Sequence, residues 1–326
     1  MTYNTFSAYL STVFFTAICS LSLAACQEDD GLDLNEIERQ IEQDEQEEHN
    51  SMEGNKLPLG QGQLRVLAIG NSFSDNSLYV IKDVLKDLNV SDTTYSVYGA
   101  ALTAASLQRW VEVAEQGEVV KLTRWGGKKM GTVEGTLPEI LSQMWDVVIL
   151  LQYSKLSTDY STFNPWLNKM KELVKQYCPN PNVALAWQMA WSYKDYIQGK
   201  YTSYERWLLI AKATLKMKQN DGIDIIIPVG TAIQNVRSTT LNDNGQLTRD
   251  GWHLNYGAPR YIAACTVVQT LCAPVYGINI SDDRSEIELP ADSDSEYPPI
   301  PVTEENRTLC HQCVMNAVNN PFKVMR

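Results

Sequence analysis

Short apolar runs and helically spaced apolar positions take turns along most of the 326-residue chain. Leu64-Arg-Val-Leu-Ala-Ile69 is an apolar run ending at Gly70, which predicts a strand buried on both faces. Beyond it Leu78, Ile81, Val84, Leu85 and Leu88 recur at helical intervals, predicting a helix over 77–88. The same alternation predicts strands at 94–98, 146–151, 183–187 and 224–229, with helices at 103–114, 163–177, 204–219 and 257–271. Residues 119–130 hold β-formers around Gly126-Gly127 and read as a hairpin outside the alternation.

Five strands alternating with helices predict an α/β fold with a five-stranded parallel sheet covered on both faces. Right-handed crossovers then give a three-layer, flavodoxin-like α/β/α domain over residues 61–275. In such sheets the ligand lies beyond the carboxyl ends of the strands, which directs attention to the residues there. Residues 282–305 turn acidic and proline-rich, predicting a surface excursion, and 303–318 predict a terminal helix. The whole of 276–326 is expected to pack on the same domain.

The two ends of the composition change the picture at the front of the chain. Residues 8–25 are apolar or small and end in Leu23-Ala24-Ala25-Cys26. That ending resembles the lipobox of bacterial lipoproteins, which implies a signal peptide at 1–26, lipidation of Cys26, and contact with a membrane through that lipid. The expected location is the bacterial outer membrane or cell surface. The first 26 residues carry no Lys or Arg, unlike an ordinary export signal, so an uncleaved apolar helix is the competing reading.

Residues 27–55 hold twelve acidic side chains against the single base Arg39, nearly the whole of the net charge of −12. Such a segment reads as a disordered acidic tether over 27–60, with Ile37 and Ile41 able to support only transient helix. The acids directly after Cys26 resemble surface-export signals of some Gram-negative lipoproteins. The remaining body is close to neutral, and no basic patch calls for nucleic acid.

Candidate chemistry sits at the predicted carboxyl edge. Ser72 follows the first strand in Gly70-Asn71-Ser72-Phe73-Ser74, on a tight turn leading into a helix. A serine hydroxyl is a weak nucleophile until a base takes its proton. The chain has three histidines: His49 in the acidic stretch, His311 in the terminal appendage, and His253 in Asp250-Gly251-Trp252-His253-Leu254-Asn255. Asp250 and His253, three apart, can face one side of a turn, where the carboxylate orients the ring.

Together these blocks resemble the SGNH (GDSL-like) hydrolase superfamily over about residues 64–272. Its Gly-Asp-Ser turn matches Gly70-Asn71-Ser72, with Asn71 in place of Asp, and its Asp-x-x-His matches Asp250 and His253. The resemblance implies catalytic Ser72, Asp250 and His253, and an oxyanion hole of the Ser72 N–H, Gly99 and a third-block side chain. Gln152 stands where that block normally has Asn. Trp145-Asp146-Val147-Val148 leading to Gln152 and Ser154 is similar to an uncharacterised bacterial subgroup. No metal or organic cofactor is implied.

Three further readings follow. Tyr153 and Trp191, near strand ends, are either rim core or lining for a sugar-binding pocket, and Trp125 is a candidate lid residue. Cys265 and Cys272 read as core residues. Cys310 and Cys313 read as a disulfide or two thiols rather than half a metal site, for lack of a second ligand pair. The function expected is a serine esterase removing acetyl groups from an acylated glycan. The alternative is a non-catalytic glycan-binding surface lipoprotein on the same fold.

Overall fold

The computed structural model describes residues 33–49, 57, 62–197, 201–243, 246–291 and 297–325. The expected signal peptide at 1–26, with Cys26, lies outside the described residues, as does much of the expected tether. The strands are β1 (Leu64–Gly70), β2 (Tyr95–Ala101), β3 (Val119–Lys121), β4 (Thr123–Gly127), β5 (Glu134–Thr136), β6 (Val147–Leu150), β7 (Ala184–Gln188) and β8 (Ile225–Ile227). The helices are α1 (Leu34–His49), α2 (Ser72–Leu78), α3 (Ile81–Asp87), α4 (Leu107–Glu115), α5 (Leu137–Leu141), α6 (Trp166–Tyr177), α7 (Ser203–Asp221), α8 (Val229–Arg237), α9 (Ala258–Val267), α10 (Ala273–Tyr276) and α11 (Glu304–Asn319).

The continuous apolar runs become the interior of one sheet, in the order β4-β2-β1-β6-β7-β8. Five of its strands are parallel, as expected, and their chain order across the sheet is flavodoxin-like. All four residues of β6 are buried, because helices cover both faces. One group of helices is α4, α5 and α6; the other joins α2 and α3 to α9, and α9 to α8 and α11. The result is the three-layer α/β/α architecture.

The expected hairpin at 119–130 is not one. β3 pairs with β5 in a separate two-stranded sheet, while β4 adds antiparallel to β2 as a sixth strand of the main sheet. Gly126-Gly127 reads locally as a turn, yet its role is close approach. Gly127 has φ +76°, and a Cβ there would stand 2.1 Å from the Tyr95 carbonyl oxygen. Only glycine lets β4 lie so near β2, and the register shifts beside it at Val97/Tyr98.

A second correction concerns the acidic stretch. Instead of remaining disordered throughout, it forms α1, which packs on α7. Ile37 and Ile41, one turn apart, are buried, and Tyr204 donates a hydrogen bond to Glu38. Mean composition hides this: two isoleucines on one face suffice to dock an otherwise acidic helix.

α11 packs on α9 and α8, and Ile300 ahead of it pairs with Gly257 at the start of α9. A buried polar network holds them. Tyr261 donates to Asp283 at 2.5 Å, and its hydroxyl lies 2.6 Å from His311 Nε2. Arg307 donates to the Ser285 carbonyl at 2.9 Å and lies 3.7 Å from Asp283. Cys265, Asp283 and His311 each bring one potential ligand atom within 4.8 Å of the others. Tyr261 and Arg307 already satisfy that carboxylate and imidazole, so the cluster is a structural network rather than a donor set awaiting a cation. Cys310 and Cys313 are free, buried thiols.

Candidate active site

The site is built where β1 stops. Asn71 caps α2, its Oδ1 accepting the Phe73 N–H at 3.0 Å. Its Nδ2 donates to the Ala105 carbonyl, also at 3.0 Å, tying the nucleophile turn to the loop after β2. An aspartate could make the first bond but not the second, which accounts for Asn71 at this position. Ser72 is then the first residue of α2, half-buried, with its hydroxyl free to face the loop before α9.

Ser72, His253 and Asp250 come together as the sequence predicts. His253 Nε2 lies 2.9 Å from Ser72 Oγ, and His253 Nδ1 lies 2.5 Å from Asp250 Oδ2. The other Asp250 oxygen accepts the N–H groups of Trp252 and His253 at 2.9 and 2.8 Å. Burial would raise the Asp250 carboxyl, but the His253 ring and these two N–H groups outweigh it and hold it below its ordinary value. An ionised Asp250 accepts a hydrogen bond from Nδ1–H, which keeps the proton on that nitrogen and leaves Nε2 as the acceptor toward Ser72.

The loop carrying both residues is tied to its surroundings. Asn76 Oδ1 accepts the Leu254 N–H at 2.9 Å, linking it back to α2. Lys194 N–H donates to the Gly251 carbonyl at 2.9 Å. The Trp191 indole N–H donates to the Trp252 carbonyl at 2.7 Å.

Three other expected residues are placed differently. Trp191 is fully buried against Phe73 and cannot line a pocket. Gly99 lies inside β2, level with Ala68 and Thr123, whereas the carboxyl edge is at Ala101 opposite Gly70. Paired strands flank it on both sides, so its N–H is not offered to a ligand at the edge.

Gln152 is 1% exposed, and its amide is fully engaged. Its Oε1 accepts the N–H groups of Leu107 and Tyr153 at 3.1 and 2.8 Å, and its Nε2 donates to the Thr162 carbonyl at 3.1 Å. The Leu107 N–H is one of the orphan donors at the start of α4, so Gln152 anchors that helix rather than presenting a donor. Tyr153 remains half-exposed.

The loop at 102–106 was missed by sequence reasoning. Leu102 N–H donates to the Gly70 carbonyl at its start, Asn71 and Gln152 hold Ala105 and Leu107 at its end, and Ala104 within it has φ +54°. An alanine in the left-handed region is uncommon, and Thr103-Ala104-Ala105 contains no glycine to signal it.

A family model described as "Domain of unknown function (DUF4886)" matches residues 65–282. Among solved structures, the chain is similar to a DUF4886 family protein from Bacteroides uniformis, with 23% identity and a TM-score of 0.66. That match covers 81% of this chain and 97% of the other, and it is a likeness of fold. A GDSL-like lipase from Bacteroides thetaiotaomicron aligns at 13% identity and TM-score 0.39, over 72% of this chain and 96% of that one. An alpha/beta hydrolase enzyme from the metagenome of Lake Arreo, Spain, aligns at 11% and 0.41, over 68% and 99%. No curated protein matches the chain.

Proposed function

The chain belongs to the DUF4886 family, and from the geometry of its site we propose that it is an SGNH-type serine esterase that removes acetyl groups from carbohydrate. The observation that carries this reading is the unbroken row from Asp250 through His253 to Ser72, with separations of 2.5 and 2.9 Å. A site in decay has no reason to keep all three members in bonding contact. That row favours the enzyme over the non-catalytic glycan binder.

In the reaction Ser72 Oγ attacks the ester carbonyl carbon as its proton passes to His253 Nε2. The tetrahedral adduct collapses, the bond to the sugar oxygen breaks, and the imidazolium returns its proton to that oxygen. Water then attacks the acyl-serine with His253 again as base, releasing acetate and restoring Ser72. Asp250 keeps the ring oriented and stabilises the imidazolium without taking its proton. The oxyanion is assigned to the Ser72 N–H and the loop at 102–106, since Gly99 and Gln152 are otherwise engaged. This chemistry calls for no metal or organic cofactor.

Acetylated glycan is favoured over lipid on two grounds. The body's near-neutral charge gives no attraction to anionic lipid. Half-exposed Tyr153 and Trp252 and exposed Tyr79 offer ring faces suited to sugars. A lipid on Cys26 would hold the enzyme at the outer membrane or cell surface, among extracellular polymers, and Cys26→Ala would then release it into the soluble fraction. Fluorophosphonate labelling tests the enzyme itself. The probe labels the wild type and fails on Ser72→Ala; an unlabelled wild type overturns the reading.

A further inference from the structure

Asp75 Oδ1 and Trp125 Nε1 are among the buried polar atoms with no hydrogen-bond partner in the described residues. Asp75 lies one turn beyond Ser72 on α2, and Trp125 lies on the edge strand β4. Gly99 separates them. A Cβ at Gly99 would stand 2.8 Å from Trp125 Nε1 and 3.8 Å from Asp75 Oδ1, so the lack of a side chain at Gly99 is what lets both atoms come close to it. Buried donors and acceptors are rarely left unmade in folded proteins, and here one of each lies beside the same glycine.

The surroundings narrow what could satisfy both atoms. Tyr79, exposed, stands 6.3 Å from Trp125 ring to ring, and Tyr256 stands 6.0 Å from Tyr79. The Arg260 guanidinium stacks 3.8 Å over Tyr256 and 4.5 Å over Tyr79, while its Nε donates to the Leu254 carbonyl. Arg260 fixes the aromatic wall and supplies the charge that acts on Asp75, whose burial nonetheless pushes its carboxyl up to about 6. An anion entering here would meet the Asp75 carboxylate. An ammonium group would leave the Trp125 N–H without an acceptor. A hydroxyl answers both, since it donates and accepts at once.

We propose that Asp75 and Trp125 form a subsite for a sugar hydroxyl neighbouring the scissile ester, the hydroxyl donating to Asp75 and accepting from the Trp125 indole. The sugar ring then lies against Tyr79. This rests on the esterase reading and names the part of the site that selects a carbohydrate over a simple ester. Trp125 is thereby a binding residue rather than a lid.

The test compares kcat/KM on a partially O-acetylated xylo-oligosaccharide with kcat/KM on p-nitrophenyl acetate, which has no sugar hydroxyl. Trp125→Phe keeps the ring and removes the donor, and Asp75→Asn removes the charge. Each is expected to lower the ratio of the two values tenfold or more. An unaltered ratio, whether both values fall together or neither falls, overturns the proposal. Binding of the same oligosaccharide to Ser72→Ala protein, by calorimetry, keeps the question separate from catalysis. Adding Trp125→Phe or Asp75→Asn should weaken that binding tenfold, and undiminished or absent binding overturns the subsite. A wild type that binds the oligosaccharide yet hydrolyses neither substrate overturns the esterase reading alone.

Discussion

Phe73, directly after the nucleophile, lies flat on Trp191, with ring centroids 3.7 Å apart and planes 5° from parallel. The same indole donates its N–H to the carbonyl of Trp252, directly before the base. One buried ring thus couples the turn carrying Ser72 to the loop carrying His253. Truncation as Trp191→Ala should cost about 3–5 kcal/mol of stability, as for other buried aromatics. Trp191→Phe keeps much of the stack but frees the Trp252 carbonyl, so kcat should fall with little change in KM. Thermal denaturation and steady-state kinetics check both, and a change confined to KM would place Trp191 back among substrate contacts.

Ser72, His253 and Asp250 should behave as one unit. Ser72→Ala, His253→Ala and the double variant are expected to lose similar activity, because either change removes the same step. Asp250→Asn offers the wrong hydrogen-bonding partner to Nδ1 and should cost about 10⁴-fold in kcat while the protein stays folded. Hydrolysis of p-nitrophenyl acetate measures all four. Near-normal turnover in His253→Ala would remove the triad from consideration.

Gln152 separates two kinds of loss. Its amide satisfies the N–H groups of Leu107 and Tyr153 and the carbonyl of Thr162. Gln152→Ala leaves those groups unmade, and a cost of about 2–4 kcal/mol in stability is expected. Chemical denaturation reads it directly. A 100-fold fall in kcat at unchanged stability is the signature of a lost oxyanion donor and would return Gln152 to the reaction.

Acid should loosen the C-terminal appendage through His311. Burial, then Arg307 and Arg284, push the imidazole down from 6.5 to about 4, with Asp282 opposing. The unfolded chain therefore takes up the proton first, and stability is lost as pH falls from 6.5 toward 4. Denaturation midpoints at pH 7 and pH 4.5 should differ more in the wild type than in His311→Gln. Equal differences would mean that His311 does not carry the effect.

Much of this was legible in the chain because the physics was local. β1 and β6 announce themselves as apolar runs, interrupted in β1 only by Arg65, since both faces of each are covered. The triad could be read because three histidines leave few partners for Ser72. What escaped depends on tertiary contact. Gly126-Gly127 carries the local mark of a turn, and only the Tyr95 carbonyl beside it shows a strand pressed against another. Trp191 and Tyr153 both follow strands, but local sequence does not say which ring turns inward onto Phe73. Ile37 and Ile41 dock α1 because α7 offers a face, a fact absent from the composition of an acidic segment.

Ala104 keeps its left-handed backbone at a cost of about 1–2 kcal/mol that glycine would avoid. Glycine would also open the loop at 102–106 to many more backbone states, in the folded protein as well as the unfolded one. A methyl group at φ +54° trades a little stability for a loop with few alternatives. Under the proposed esterase reading, hydrogen-bond donors on such a loop would need no reordering when negative charge develops beside Ser72, so reorganisation would add little to the barrier.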